Sequence, residues 1–215
     1  MGATPTLIYL HGFGSSPSSK KARYFQERLG QHGVGLLVPD LADGDFEHLT
    51  ITGQLAVVER TVAGRGAVLI GSSLGGYLAA LYASQHPEIK NLILMAPAFS
   101  FGSRLPEIMG VEEVAQWQRT GLLPVFHYGD GRTRQLGYQL AEDAAAYPDF
   151  PGFSQPALIL HGARDTVVPS SLSEHFAQQH ANVSLTIFDS DHELMDVLEP
   201  MWAEMKRFLQ IPRLL

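Results

Sequence analysis

Val68-Leu69-Ile70-Gly71-Ser72-Ser73-Leu74-Gly75-Gly76-Tyr77 decides the reading of this chain. An apolar, β-rich segment runs straight into Gly-x-Ser-x-Gly and then into a helical pattern. Leu74, Tyr77, Leu78, Leu81 and Tyr82 fall at i, i+3, i+4, i+7 and i+8, one apolar face of a helix. Ser73 is thereby placed on a strand-to-helix turn, where a nucleophilic serine stands out at the sheet edge. Side chains two positions either side would collide at so sharp a turn; Gly71 and Gly75 relieve this, and Gly76 lets the helix approach the neighbouring strands. A bare Gly-x-Ser-x-Gly also occurs by chance in Gly/Ser-rich loops, but strand, motif and helix in succession read as a nucleophile.

Working outward, short apolar runs alternate with helical patterns. Residues 6–10, 35–39, 67–72, 91–96, 157–160 and 183–188 read as buried strands; the unbroken Leu92-Ile93-Leu94-Met95 is what a strand covered on both faces requires. Helices are expected over 19–32, 52–63 and 171–180. A last helix carries the stripe Leu194, Val197, Leu198, Met201, Trp202, Met205, Phe208 and Leu209, which reads as core packing. This alternation predicts an α/β fold: a mostly parallel sheet of about six strands, with right-handed crossovers and helices on both faces.

One stretch breaks the rhythm. Between Pro97 and Pro156 no strand pattern stands out, yet aromatics are dense. Residues 106–119 and 133–147 look like two helices joined by Tyr128-Gly129-Asp130-Gly131. We expect a single domain over 1–215 with a small helical cap inserted at about 99–153, since long inserts of this kind are usually functional. Phe99, Trp117, Phe126 and Tyr128 are the expected walls of an acyl pocket; the competing expectation is that such aromatics only glue the insertion to the sheet.

Composition narrows the classes. The 215 residues are 45% hydrophobic and 17% charged, as in a globular chain. A net charge of −7 with dispersed basic residues argues against nucleic acid and anionic membrane surfaces as partners. Cysteine is absent, so neither a disulfide nor a Cys-based metal site is available. The start Met1-Gly2-Ala3-Thr4-Pro5 lacks a basic region, the apolar stretch after it is too short for a signal peptide, and a cytoplasmic location is expected.

A serine at its free pKa is a poor nucleophile; it needs a histidine to take its proton and a carboxylate to orient that histidine. His192 follows the last strand in Phe188-Asp189-Ser190-Asp191-His192-Glu193, and Asp165 follows the fifth in Gly162-Ala163-Arg164-Asp165. Both lie beyond carboxyl ends of strands, where sites of open α/β sheets form. The order Ser…Asp…His fits a nucleophile after an inner strand. Among the other histidines, His127 is the rival base. His11 and His161, each before a glycine at a strand end, are expected to hydrogen-bond loops, and the rest to be solvated or capping. Asp40 and Asp43 are alternative places for the acid, while Asp189 and Asp191 are expected to shape the turn around His192.

With these residues in view, the chain resembles the α/β-hydrolases, and more narrowly the small single-domain carboxylesterases of bacteria. The resemblance rests on His11-Gly12-Phe13-Gly14, Gly71-Ser72-Ser73-Leu74-Gly75, Gly162 to Pro169 and Ser190-Asp191-His192, leaving only the insertion unanchored. It implies that the backbone N–H groups of Phe13 and Leu74 form an oxyanion hole, worth roughly 3 kcal/mol of barrier each. It also implies that the antiparallel pair with which the family fold opens is missing here. The implied activity is hydrolysis of carboxylic esters through an acyl-enzyme, with no metal or organic cofactor; because so short an insertion can cover only a modest pocket, short acyl groups, roughly C2 to C6, are expected. The expected partner is a small ester, taken up by a monomer or small homo-oligomer. Acyl thioester or aminopeptidase chemistry on the same residues stays open, as does a non-catalytic ligand-binding homologue. Aspartate at position 73 would have pointed to dehalogenation; the residue is serine.

Overall fold

A computed structural model describes residues 5–211; residues 1–4, on which the reading of the chain's start rests, lie outside the described residues. The sheet strands are β1 (Thr6–Leu10), β2 (Leu36–Leu37), β3 (Ala67–Ser72), β4 (Ile89–Met95), β7 (Ala157–Gly162) and β8 (Val183–Phe188). They pair in parallel throughout, in the order β2-β1-β3-β4-β7-β8. The expected six-stranded sheet is present, with each strand within a few residues of its predicted place.

Period-two alternation divides the strands between two cores. Leu7, Tyr9, Val68, Ile70, Ile93, Met95, Leu158 and Leu160 face one side, where α1 (Lys20–Gly30) and α8 (Leu198–Phe208) bring Ala22, Phe25, Leu29, Met201, Trp202 and Met205. Ile8, Leu10, Leu69, Leu92, Leu94 and Ile159 face the other, packed against α2 (Ile51–Val62), α3 (Leu74–Gln85) and Phe176 of α7 (Ser170–Gln179). Each such side chain contributes about 1.5–3 kcal/mol on leaving water. Ser19 Oγ caps α1 by accepting the Ala22 N–H, and Thr50 Oγ1 caps α2 by accepting that of Gly53.

The insertion departs from expectation. It holds α4 (Leu105–Met109), α5 (Val111–Thr120), an antiparallel hairpin of β5 (Leu122–His127) and β6 (Arg132–Gly137), and α6 (Gln139–Ala144). The predicted helix over 106–119 is broken at Gly110, whose φ of 97° a helix cannot continue. The predicted helix over 133–147 is a strand followed by a short helix. Tyr128-Gly129-Asp130-Gly131, read as a link between helices, is the hairpin loop, and its Asp-Gly pair is a recognised hairpin signal. Pro124 masked β5, because proline belongs only on free-edged strands; a two-stranded ribbon has such edges. The insertion is tied to α2 where Thr52 Oγ1 donates to Asp143 at 2.6 Å and Thr52 N–H to the same carboxylate at 2.8 Å. No helix among the described residues is long and apolar enough to cross a membrane.

Candidate active site

Ser73 sits between β3 and α3 with φ 53° and ψ −117°, a backbone conformation that L-residues avoid. Its N–H donates to Met95 O at 2.9 Å, and its carbonyl accepts from Gly76, Tyr77 and Ala98. A Cβ at Gly75 would collide with the carbonyl oxygens of Leu10 and His11, and one at Gly71 with the backbone of Gly75. Only glycine permits this approach. Ser19 and Thr50 spend their hydroxyl oxygens on helix caps, but Ser73, which also precedes a helix, makes no such bond. Its Oγ is directed to an imidazole instead.

That imidazole is His192, whose Nε2 lies 3.0 Å from Ser73 Oγ across 119 residues of sequence. His192 Nδ1 lies 2.7 Å from Asp165 Oδ2. The Asp165 side chain is fully buried, and its Oδ1 accepts the N–H groups of Val167 and Val168 at 2.9 and 2.8 Å. Burial alone would push this carboxyl up, but bonds from His161, His192 and Val168 outweigh it and hold the group well below the usual carboxylate range. Asp191 shapes the His192 turn by accepting the N–H groups of Glu193 and Leu194 at 2.9 and 3.3 Å, and Ser190 Oγ donates to Asp196. Lys21 of α1 faces Glu193, Asp165 and Asp191; burial pushes its ammonium down to about 8 against the pull of those three carboxylates. The arrangement can draw a proton from Ser73 and hold it on a ring oriented from behind.

The His11–Gly14 loop lies directly over the serine, since a Cβ at Gly12 would sit 3.4 Å from Ser73 Cβ. The hydrogen bonds of the described residues leave the N–H groups of Phe13 and Leu74 undirected to any protein acceptor. Leu74 also opens α3, so its amide carries the positive end of the helix dipole. His11 fixes the loop: its Nδ1 lies 3.0 Å from Gly12 O, and its Nε2 accepts the Leu41 N–H at 3.3 Å. These two partners make it a neutral Nδ1–H ring, in keeping with a pKa that burial lowers.

The other predicted positions divide. His127, the rival base, is buried in the hairpin: its Nδ1 accepts the Asp130 N–H at 3.1 Å and its ring meets Phe46 edge-on at 4.8 Å. Asp40 is committed to its own turn, accepting from Ala42 and Gly44 at 3.1 Å each, and Asp43 pairs with Arg60. Phe99 and Trp117 do not line a pocket. Phe99 is 0% exposed and stacks on Phe176 at 4.5 Å; Trp117 is 2% exposed, its Nε1–H donating to Leu136 O at 3.0 Å. Apolar burial draws both rings into the core, where they glue the insertion to the sheet. Phe126 and Tyr128 are 50% and 75% exposed, meet edge-to-face at 5.1 Å, and flank Gly14. Cavities of about 510 and 180 Å³ lie away from the site, the larger lined by His86, Gln155 and His180, the smaller by Glu59 and Tyr82. His161, expected only to bond a loop, touches Asp165 itself; its place four residues before that aspartate is the signal in the sequence that points to it. Among the described residues no group of three or more His, Asp or Glu side chains is placed to hold a metal ion.

Comparison with known proteins agrees with this architecture. The profile of an uncharacterised protein family, UPF0227, matches residues 6–210. Among solved structures, Est1E from Butyrivibrio proteoclasticus is 24% identical with a TM-score of 0.79, covering 96% of this chain and 87% of that one. Est1E has also been solved with ferulic acid bound. Alpha/beta hydrolase domain-containing protein 10 from mouse is 21% identical with a TM-score of 0.80, covering 98% of this chain and 91% of that one. A 2-hydroxymuconate semialdehyde hydrolase from Pseudomonas putida is 25% identical over 212 residues, 82% of this chain. The chain spans 66% of that relative's length, just short of two thirds.

Proposed function

We propose that this chain, which belongs to the UPF0227 family within the α/β-hydrolase superfamily, cleaves short-acyl carboxylic esters through an acyl-enzyme. Ser73 Oγ attacks the ester carbonyl while His192 Nε2 takes its proton, and Asp165 holds the resulting imidazolium from the other side. The Phe13 and Leu74 amides hold the oxyanion of the tetrahedral intermediate. His192 then protonates the departing alcohol, removes a proton from water and returns it to Ser73 as the acid leaves. The observation that carries the reading is the 3.0 Å separation of Ser73 Oγ and His192 Nε2, with Asp165 2.7 Å from the opposite ring nitrogen.

Turnover of p-nitrophenyl acetate and butyrate tests the activity, and Ser73→Ala tests the residue. A loss of about 10⁴-fold in kcat is expected of a triad nucleophile. A variant that keeps a tenth of wild-type turnover overturns the assignment. Thioesters and aminoacyl amides in the same panel decide between ester cleavage and the alternatives on these residues. A second reading, aromatic acyl esters, is favoured by the exposed Phe126–Tyr128 pair beside the Phe13 loop and by the ferulic acid bound to Est1E. Methyl ferulate turned over faster than butyrate would support it.

A further inference from the structure

Asp165 serves two histidines. Its Oδ2, which accepts from His192 Nδ1, also lies 3.1 Å from Nε2 of His161 on β7. That nitrogen is 2.9 Å from Val168 O as well. Carboxylate and carbonyl are both acceptors, so His161 Nε2 bears a proton. Its Nδ1 lies 2.7 Å from Ser173 Oγ on α7, and both residues are fully buried. Among the hydrogen bonds of the described residues Ser173 Oγ has no other partner, so its proton goes to Nδ1. The network therefore assigns His161 as a neutral Nε2–H imidazole. The result is a continuous chain: Ser73, His192, Asp165, His161, Ser173.

We propose that His161 is a positioning residue for the Asp165 carboxylate, fixing its plane on His192 and taking up part of the charge on the oxygen they share. This rests on the reading of Ser73, His192 and Asp165 given above. The physical case is one of supply. Asp165 is sealed from water and meets four N–H donors: Val167 and Val168 on Oδ1, His192 and His161 on Oδ2. With no solvent to replace a lost donor, each bond counts in full. A neutral donor at this place restrains the carboxylate without cancelling its charge, as an arginine would. Of the charged groups nearby, Lys21 of α1 is coupled to Asp165, Asp191 and Glu193, and Arg104 donates to Val167 O at 3.4 Å in the loop that binds Asp165.

The sign follows. Without the His161 N–H, the whole charge of Oδ2 falls to His192, which then holds its proton more tightly. His161→Leu, assayed with p-nitrophenyl butyrate, is expected to lower kcat by about 10-fold or more with little change in KM. The acidic limb of its kcat/KM profile is expected to rise by about one pH unit. His161→Gln, whose amide N–H reaches in the same direction, should restore most of kcat and return the limb. A leucine variant that folds and keeps both kcat and limb overturns the proposal. So does one that loses kcat with the limb unmoved and no rescue by glutamine, which is what plain structural support would give. Ring ¹⁵N NMR of the wild-type protein provides a test that needs no variant: Nε2 protonated and Nδ1 bare at pH 7 is expected, and the opposite tautomer or a doubly protonated ring overturns the assignment. Ser73→Ala keeps the two levels apart. If that variant stays active the triad reading fails; if it is dead while His161→Leu is native, only the present inference fails.

Discussion

The Tyr128 N–H donates to Gly14 O at 2.7 Å, so the tip of the inserted hairpin is bonded to the loop that carries the Phe13 amide. The Phe13 ring rests on Phe46 at 5.6 Å, and Phe46 in turn meets His127 of β5, giving that loop a second hold from the same hairpin. Tyr128→Pro, which removes the N–H, should lower kcat several-fold, by about the worth of one hydrogen bond to a preorganised donor loop. Tyr128→Ala, which keeps the bond and loses the exposed ring, should leave kcat for small esters unchanged and raise KM for aromatic ones. Steady-state kinetics on both variants separates the backbone role from the side-chain role.

His192→Ala and Asp165→Asn should each cost about 10³- to 10⁴-fold in kcat, the asparagine because it favours the wrong imidazole tautomer. His127→Ala should keep most activity, since its Nδ1 is occupied by the Asp130 N–H. Active His192→Ala beside dead His127→Ala would exchange the two roles. The wild-type rate should rise with pH on the acid side, because only the neutral ring accepts the serine proton.

Asp165 also sets an acid boundary on stability. Its carboxyl is depressed in the fold, so the unfolded chain binds its proton more readily. The contribution is therefore complete above the ordinary aspartate value of about 4 and drains away as pH falls below it. Asp165→Asn should flatten the dependence of Tm on pH below about 5, measured by thermal melts across that range.

Phe99→Ala and Trp117→Ala should act on the fold, each costing about 3–5 kcal/mol as a large buried ring is deleted. The expected signature is a lower Tm with the relative rates of acetyl, butyryl and longer esters unchanged. Phe126→Ala should do the reverse, since its half-exposed ring carries little of the core and meets the Tyr128 ring, which itself stands beside Gly14.

The sheet was legible because its inner strands, β1, β3, β4 and β7, are buried on both faces: Leu92 to Met95 admits little else. The site was legible for a related reason, that nucleophile, acid and base each follow a strand's carboxyl end. The hairpin was hidden because Arg132-Thr133-Arg134-Gln135 faces solvent and carries no apolar alternation, while Pro124 interrupts its partner. Phe99 and Trp117 show a further limit. Aromatic density announces burial, but whether a ring meets substrate or another ring is settled by tertiary packing with residues as distant as Phe176. His161 was hidden differently: one residue type serves as loop clip at His11 and as carboxylate partner at 161, and only the turn of the following loop tells them apart.

His192 hangs from the turn after β8, the outermost strand on its side of the sheet, and meets a serine 119 residues earlier. Contacts of such long sequence separation form late, after the loop-closure entropy between them has been met. Catalytic competence is then a clock for the final docking of the sheet's edge. A refolding trace followed by ester turnover should lag one followed by helical circular dichroism, and the interval between them measures how long a nearly complete protein waits without a working base.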